Sequence, residues 1–184
     1  MSAQNSTPEI GEMIEAISTG RVAAKDLEML GQIEKKVRWL SSWTIHNANH
    51  IRPKRDGIKV GGHQASSASM TTLMTALYFN VLRPQDRVAV KPHASPVFHA
   101  INYLFGRQTR EKLENFRAFG GAQSYPSRTK DGDVVDFSTG SVGLGAAVTN
   151  FAALTQDYLR YKDMLPRGEK PFLLYTSHAS TYLP

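Results

Sequence analysis

Three junctions where a loop gives way to a helix carry the residues best suited to chemistry. The first is Gly61-Gly62-His63, followed closely by Ser66, Ser67 and Ser69. Glycine lets backbone approach a ligand, and a helix start turns free N–H groups toward anions. The competing explanation is a serine cap with His63 satisfied locally. The second is "KPHASPVFHA", with His93 directly after a predicted strand and His99 six residues on. Ligands collect at the carboxyl ends of strands in α/β sheets. A histidine there can donate to a phosphate or move a proton near neutral pH, or it can simply finish a turn. His99 falls inside a helix and receives no role. The third is "STGSVGLGAAV", Ser138 to Val148, where Gly140, Gly143 and Gly145 run G-x-x-G-x-G. That order differs from the dinucleotide fingerprint, and no G-x-x-x-x-G-K-[ST] loop is present. Close backbone approach to a ligand and tight loop-to-helix packing both explain these glycines.

Composition removes several alternatives. The 184 residues include no cysteine, so disulfide frameworks, thiolate metal sites and a cysteine nucleophile are excluded. Asp131, Asp133 and Asp136 lie close together but lack the glycine and distal glutamate of an EF-hand, and no metal-ligand set is assigned. No G-x-S-x-G elbow suggests a serine hydrolase. The net charge of +6 comes from scattered Lys and Arg without an aromatic-interleaved stripe, which reads as a solvated surface rather than a nucleic-acid partner. No stretch approaches the ~18 apolar residues of a membrane span, and the N-terminus lacks signal-peptide order. A cytoplasmic location and no membrane partner are the expectation.

The elements that must position these residues follow from spacing. Residues 1–24 read as a flexible lead-in. Leu27, Leu30, Ile33, Val37, Leu40 and Trp43 predict a helix from Ala24 to about Ile51, broken by Pro53, Gly57 and Gly61-Gly62. A second helix is predicted over Ser66 to Leu82, a buried strand over Arg87 to Lys91 ended by Pro92, and a small helix over Pro96 to Phe105. A capped helix is predicted from Thr109 to Gly120-Gly121. A loop of about twenty residues precedes a last helix over Leu144 to Tyr161; loops so long are commonly functional or disordered. Phe172 to Tyr175 begins like a strand. Helices alternating with apolar strand give an α/β domain.

Taken in order, "GGHQASSAS", "KPHASPVFHA", "LENFR", "SYP" and "STGSVGLG" resemble the N-terminal diphosphate-binding domain of the transketolase superfamily of thiamine diphosphate enzymes. The likeness runs from about Glu34 to Lys162 and is greatest to homodimeric pyruvate dehydrogenase first components. It implies a thiamine diphosphate-binding fold, a parallel sheet flanked by helices, incomplete here: 25–165 as a partial domain and 166–184 as a truncated or unrelated tail. By this resemblance His63 and His93 are the catalytic histidines. Ser66, His93, Gly140, Ser141, Val142, Gly143, Leu144 and Gly145 face the cofactor, and Lys91 stands where those enzymes keep a glutamine. The cofactors implied are thiamine diphosphate and Mg2+, whose Gly-Asp-Gly ligand motif does not follow the last strand here. The substrate implied is a 2-oxo acid, with transketolase chemistry on a sugar phosphate, or an inert fragment, as alternatives. A homodimer in the full-length parent and an acyltransferase complex partner are implied as well.

Overall fold

A computed structural model describes residues 24–165, apart from Arg55, Asp133, Ser141 and Val142, together with the backbone of 173–175. The expectations for residues 1–23, for 166–172 and for 176–184 lie outside the described residues. Helix α1 spans Ala24–His46 and continues into a π-helical turn, Asn47–Ile51. Short helices α2 (Gln64–Ser69) and α3 (Thr71–Ala76) follow, and α3 widens into a second π-helical turn, Leu77–Val81. Then come strand β1 (Arg87–Ala89), a 3-10 turn at Pro92–Ala94, and α4 (Ser95–Leu104). Helices α5 (Arg110–Glu114) and α6 (Leu144–Tyr161) precede strand β2 (Leu173–Tyr175).

The molecule is mostly helical. Its sheet is one parallel pair, with Arg87, Val88 and Ala89 in register with Leu173, Leu174 and Tyr175. A parallel pair needs a long crossover, and α4 to α6 supply it. No helix among the described residues is long and apolar enough to cross a membrane. The other edge of β1 is closed by side chains. Val88 N–H donates to Asp136 Oδ2 at 2.9 Å, and Thr139 Oγ1 donates to the Val90 carbonyl. Val88 and Val90 are two apart, so their backbone groups face one edge. Burial raises the Asp136 pKa above the usual carboxylate range, while the Val88 N–H and Arg87 oppose that shift.

The core forms where α1, α3, α4 and β1 meet: Val37, Met74, Val88, Val97, Phe98 and Ile101 are all buried. A smaller cluster of Ala48, Phe116 and Ala122 lies under the end of α1. Two predicted helices are modified. Between Ser66 and Leu82, Met70 tightens one turn by bonding back to the Ser67 carbonyl at 3.1 Å, which separates α2 from α3. The helix predicted to reach Gly120-Gly121 ends instead at Glu114. There the chain reverses: Arg117 takes φ +62°, and its N–H bonds the Ala122 carbonyl at 2.9 Å. Gly121 tolerates no side chain, since a Cβ would lie 1.7 Å from the Asn115 carbonyl oxygen.

Helices α2 and α3 bury a row of hydroxyls, Ser67, Thr71 and Thr75, at helical spacing of four. None of these oxygens has a hydrogen-bond partner among the described residues. Burying an unpaired hydroxyl costs ~1–3 kcal/mol. Thr71→Val and Thr75→Val are therefore expected to hold or raise stability by up to about 1 kcal/mol, whereas Met74→Ala should cost about 3 kcal/mol through its cavity. Urea unfolding monitored by circular dichroism checks both directions; a loss in the valine variants would show that the hydroxyls are satisfied.

Candidate functional site

The site begins with a buried amide. Asn49, in the π-helical turn that closes α1, donates through Nδ2 to the Gly61 carbonyl at 2.9 Å and accepts the Gly61 N–H on Oδ1 at 2.9 Å. It also donates to the Ile45 carbonyl at 2.8 Å. One side chain thus holds both backbone groups of the first glycine. The same turn reaches across to the segment after α5. Asn47 donates to the Glu114 carbonyl at 2.8 Å, and Arg52 to the Phe116 carbonyl at 2.9 Å.

Both glycines of the pair are required by conformation. Gly61 has φ +98° and Gly62 φ +106°, a region that disfavours side chains. A Cβ on Gly61 would lie 2.5 Å from Arg117 Nη1, and one on Gly62 would lie 3.1 Å from Ile45 Cγ2. The turn delivers His63 to the N-cap of α2 without a side-chain capping bond. Pro92, having no N–H, opens the 3-10 turn that carries His93. The two imidazoles stack with centroids 5.1 Å apart and planes 29° from parallel.

A cleft of about 130 Å³ opens beside them, bounded further by Ser95, Phe116, Arg117 and Tyr125. Among the described residues its lining carries the Arg117 guanidinium and no carboxylate, so it favours an anion. The Ser95 oxygen is buried with no hydrogen-bond partner among the described residues. Sequence reasoning gave Arg117, Ser95 and Tyr125 no role. "LENFR" and "SYP" were visible as ordered motifs, but the left-handed backbone that turns Arg117 toward Gly61 was not.

The remaining predicted residues lie elsewhere. Ser66 is buried in α2, with its carbonyl accepting from Ser69 Oγ at 2.9 Å, and does not line the cleft. Nor do Gly140, Gly143, Leu144 or Gly145. Ser141 and Val142 lie outside the described residues. Gly143, with φ +74°, caps α6; Gly145 is buried and Leu144 is exposed. The glycine turn is nevertheless tied to the histidine side: its neighbour Thr139 bonds to Val90, and Thr139 N–H donates to the Pro126 carbonyl at 3.2 Å, one residue from Tyr125. Among the described residues no group of three or more His, Asp or Glu could hold a metal ion. Asp131 instead ties the loop, accepting the Gln123 N–H at 3.0 Å and the Ser127 N–H at 2.9 Å.

His99 has a structural place. It is fully buried, with Nε2 2.7 Å from the Gln123 carbonyl and Nδ1 3.1 Å from Gln108 Nε2. A carbonyl only accepts, so Nε2 carries the proton and Nδ1 accepts from the amide. Burial lowers its pKa, with the Gln123 bond opposing in part, and keeps the ring neutral.

Comparisons with known proteins bear on this arrangement. No family model matches the chain. It is 33% identical over 134 residues to the pyruvate dehydrogenase E1 component of Mycolicibacterium smegmatis, covering 67% of this chain and 14% of that protein. It is 34% identical over 155 residues to the E1 component of Pseudomonas aeruginosa, covering 79% and 17%. The E1 component of Escherichia coli K12 is 29% identical over 148 residues, covering 76% and 16%. This chain is a relative of pyruvate dehydrogenase E1 components. It spans about one sixth of the length of these curated E1 relatives. The E1-like stretch takes in most of the chain, and a largely helical structure with a short parallel sheet is compatible with part of a larger enzyme.

Two outcomes follow. Asn49→Leu strands both Gly61 backbone groups and should cost about 2–3 kcal/mol, with loss of the mutual ring-current shifts of His63 and His93 in proton spectra. Unfolded chain binds a proton at His99 that the folded state refuses, so stability should be full above pH ~6.5 and fall as the pH drops below it. Thermal unfolding between neutral and mildly acid pH should show that slope in the parent and a flatter one in His99→Leu, whose stability is lower throughout.

Proposed function

We propose that this chain forms the histidine-bearing part of a thiamine diphosphate-dependent 2-oxo acid dehydrogenase of pyruvate type, within the transketolase superfamily. The observation that carries the reading is the stacked His63–His93 pair beside a cleft whose lining, among the described residues, carries the Arg117 guanidinium and no carboxylate. That donor set suits a small anionic substrate. The cleft, about 130 Å³, has room beside the two rings for a small carboxylate. With two imidazoles and a guanidinium, the cleft suits the reacting end of the complex.

When bound, thiamine diphosphate supplies the electron sink for decarboxylation. The residues that would meet it are Ser66, His93, Gly140, Ser141, Val142, Gly143, Leu144 and Gly145. The free N–H groups at the start of the 18-residue α6 would face its anionic end. His63 and His93 would donate to the former carbonyl oxygen of the substrate as charge develops there and return the proton later. Such positioned proton transfer is worth ~100-fold or more in rate. Arg117 would hold the substrate carboxylate. Mg2+ is assigned no ligands among the described residues. In an E1-type assembly the acyl product passes to an acyltransferase partner.

Histidine-ring proton spectra recorded with thiamine diphosphate and Mg2+, then with pyruvate added, test this reading. Saturable shifts at His63 and His93 but not at buried His99 are expected. Absence of any shift at either ring overturns it. In a longer polypeptide that turns over pyruvate, His63→Ala and His93→Ala should each lower kcat at least ~100-fold.

A further inference from the structure

The close of α1 carries a second pair of histidines, neither of which lines the cleft. His46 is the last residue of the helix, and His50 lies in the π-helical turn that follows. Both side chains are exposed, and their rings meet with centroids 4.9 Å apart and planes 30° from parallel. Residues four apart share one helix face, and two histidines so spaced are a recurring pair of ligands for zinc. We propose that His46 and His50 together chelate one divalent transition-metal ion of the late first row, Cu2+, Ni2+ or Zn2+, with water in its remaining positions.

Geometry and charge both support an ion here. Two ring nitrogens bound to one ion at about 2.1 Å stand roughly 3 Å from each other. Facing rings 4.9 Å apart at their centroids reach that by small rotations of exposed side chains. His63 and His93 are as close, but the Arg117 guanidinium shares their cleft and opposes a cation. Beside His46 and His50, the cations next along the chain are turned to backbone. Arg52 donates to the Glu114 and Phe116 carbonyls, and Lys54 Nζ to the Asn49 carbonyl at 2.6 Å. Imidazole suits these ions, whereas Mg2+ prefers oxygen, so the site is distinct from any metal held with a diphosphate. The stretch reads "HNANH", with Asn47 where an H-E-x-x-H hydrolase keeps its glutamate base, and the pair binds without that base beside it. Its effect is mechanical. Between the two ligands lie Asn47 and Asn49, which hold the Glu114 carbonyl and both backbone groups of Gly61. An ion across His46 and His50 fastens that turn in its folded form, and a ligand of the folded state alone raises stability.

This site needs no cofactor and is independent of the function proposed above. Both tryptophans of the chain, Trp39 and Trp43, stack on α1 with centroids 6.3 Å apart, and Trp43 stands one turn before His46. Their fluorescence therefore reports on an ion bound there. Titration with Cu2+ at about pH 7.5, where imidazole is neutral, should quench it saturably at one ion per chain. Excess Zn2+, which binds more weakly and does not quench, should restore the emission, and Mg2+ should not. His46→Gln and His50→Gln, checked for intact helix by circular dichroism, should each weaken Cu2+ binding at least about tenfold, because each imidazole supplies the other's local concentration. His63→Gln should leave the titration unchanged. Thermal unfolding should move to higher temperature with Zn2+ in the parent and in neither of the first two variants. Unchanged affinity in His46→Gln or His50→Gln overturns the proposal, as does quenching lost in His63→Gln. Saturable binding with an unmoved unfolding temperature overturns the mechanical role.

Discussion

A single buried carboxamide governs how the two ends of the cleft meet. Asn49 treats Gly61 as a strand would treat its neighbour, giving one hydrogen bond and taking one, within a turn where no strand can form. It can do so because α1 continues into a π-helical turn, Asn47–Ile51, in which Asn47 and Asn49 are buried. π-type turns are uncommon and concentrate at functional sites. The cost of burying two amides is met by four bonds to backbone carbonyls and N–H groups. With Gly61 fixed, its missing Cβ leaves the space that Arg117 Nη1 occupies. The first glycine thus acts twice, as the handle that Asn49 grips and as the floor on which the guanidinium lies.

Strand β1 extends that frame. It is only three residues long, yet both its edges are closed: one by β2, the other by the Asp136 carboxylate and the Thr139 hydroxyl. An open strand edge would invite pairing with another chain. Using side chains for closure has a second effect, because Thr139 immediately precedes the glycine turn. The turn is held to the carboxyl end of the strand that also launches His93. The histidine side and the glycine side of the proposed cofactor site therefore share one anchor, although the glycines do not line the cleft.

Local pattern carried some of this and not the rest. The helices α1, α4 and α6 and the strand at Arg87 could be read because each is decided by its own apolar spacing or by a proline at its end. That His63 and His93 belong to one site was implied by the resemblance, not by their local spacing; the structure stacks the two rings. What escaped depends on contacts far apart in sequence. The early end of α5 is set by a chain reversal in which Lys112 and Arg117 bond to Ala122. Nothing in "TREKLENFRAFGG" announces it, since the capped start at Thr109 is sound and the close approach of the Asn115 carbonyl, which leaves no room for a side chain at Gly121, arises only once the chain has reversed. The role of Asn49 depends on a glycine 12 residues away. Ser66 was assigned to the cofactor by resemblance; it is buried in α2 and does not line the cleft.

The three histidines of the two junctions show how one residue type is given separate work by its surroundings. His99 is sealed between Gln108 and Gln123, with both ring nitrogens committed and its charge refused by burial. It holds the 121–124 segment against α4, and that segment supplies one wall of the cleft. His63 and His93 stack at one side of that cleft, one brought by a backbone that favours glycine and the other by a proline turn. A ring able to exchange its proton must not also be the pin that holds the wall, because protonation would then loosen the site it serves. Assigning the pin to a histidine kept neutral by burial keeps that wall fixed, whatever charge comes and goes in the cleft beside it.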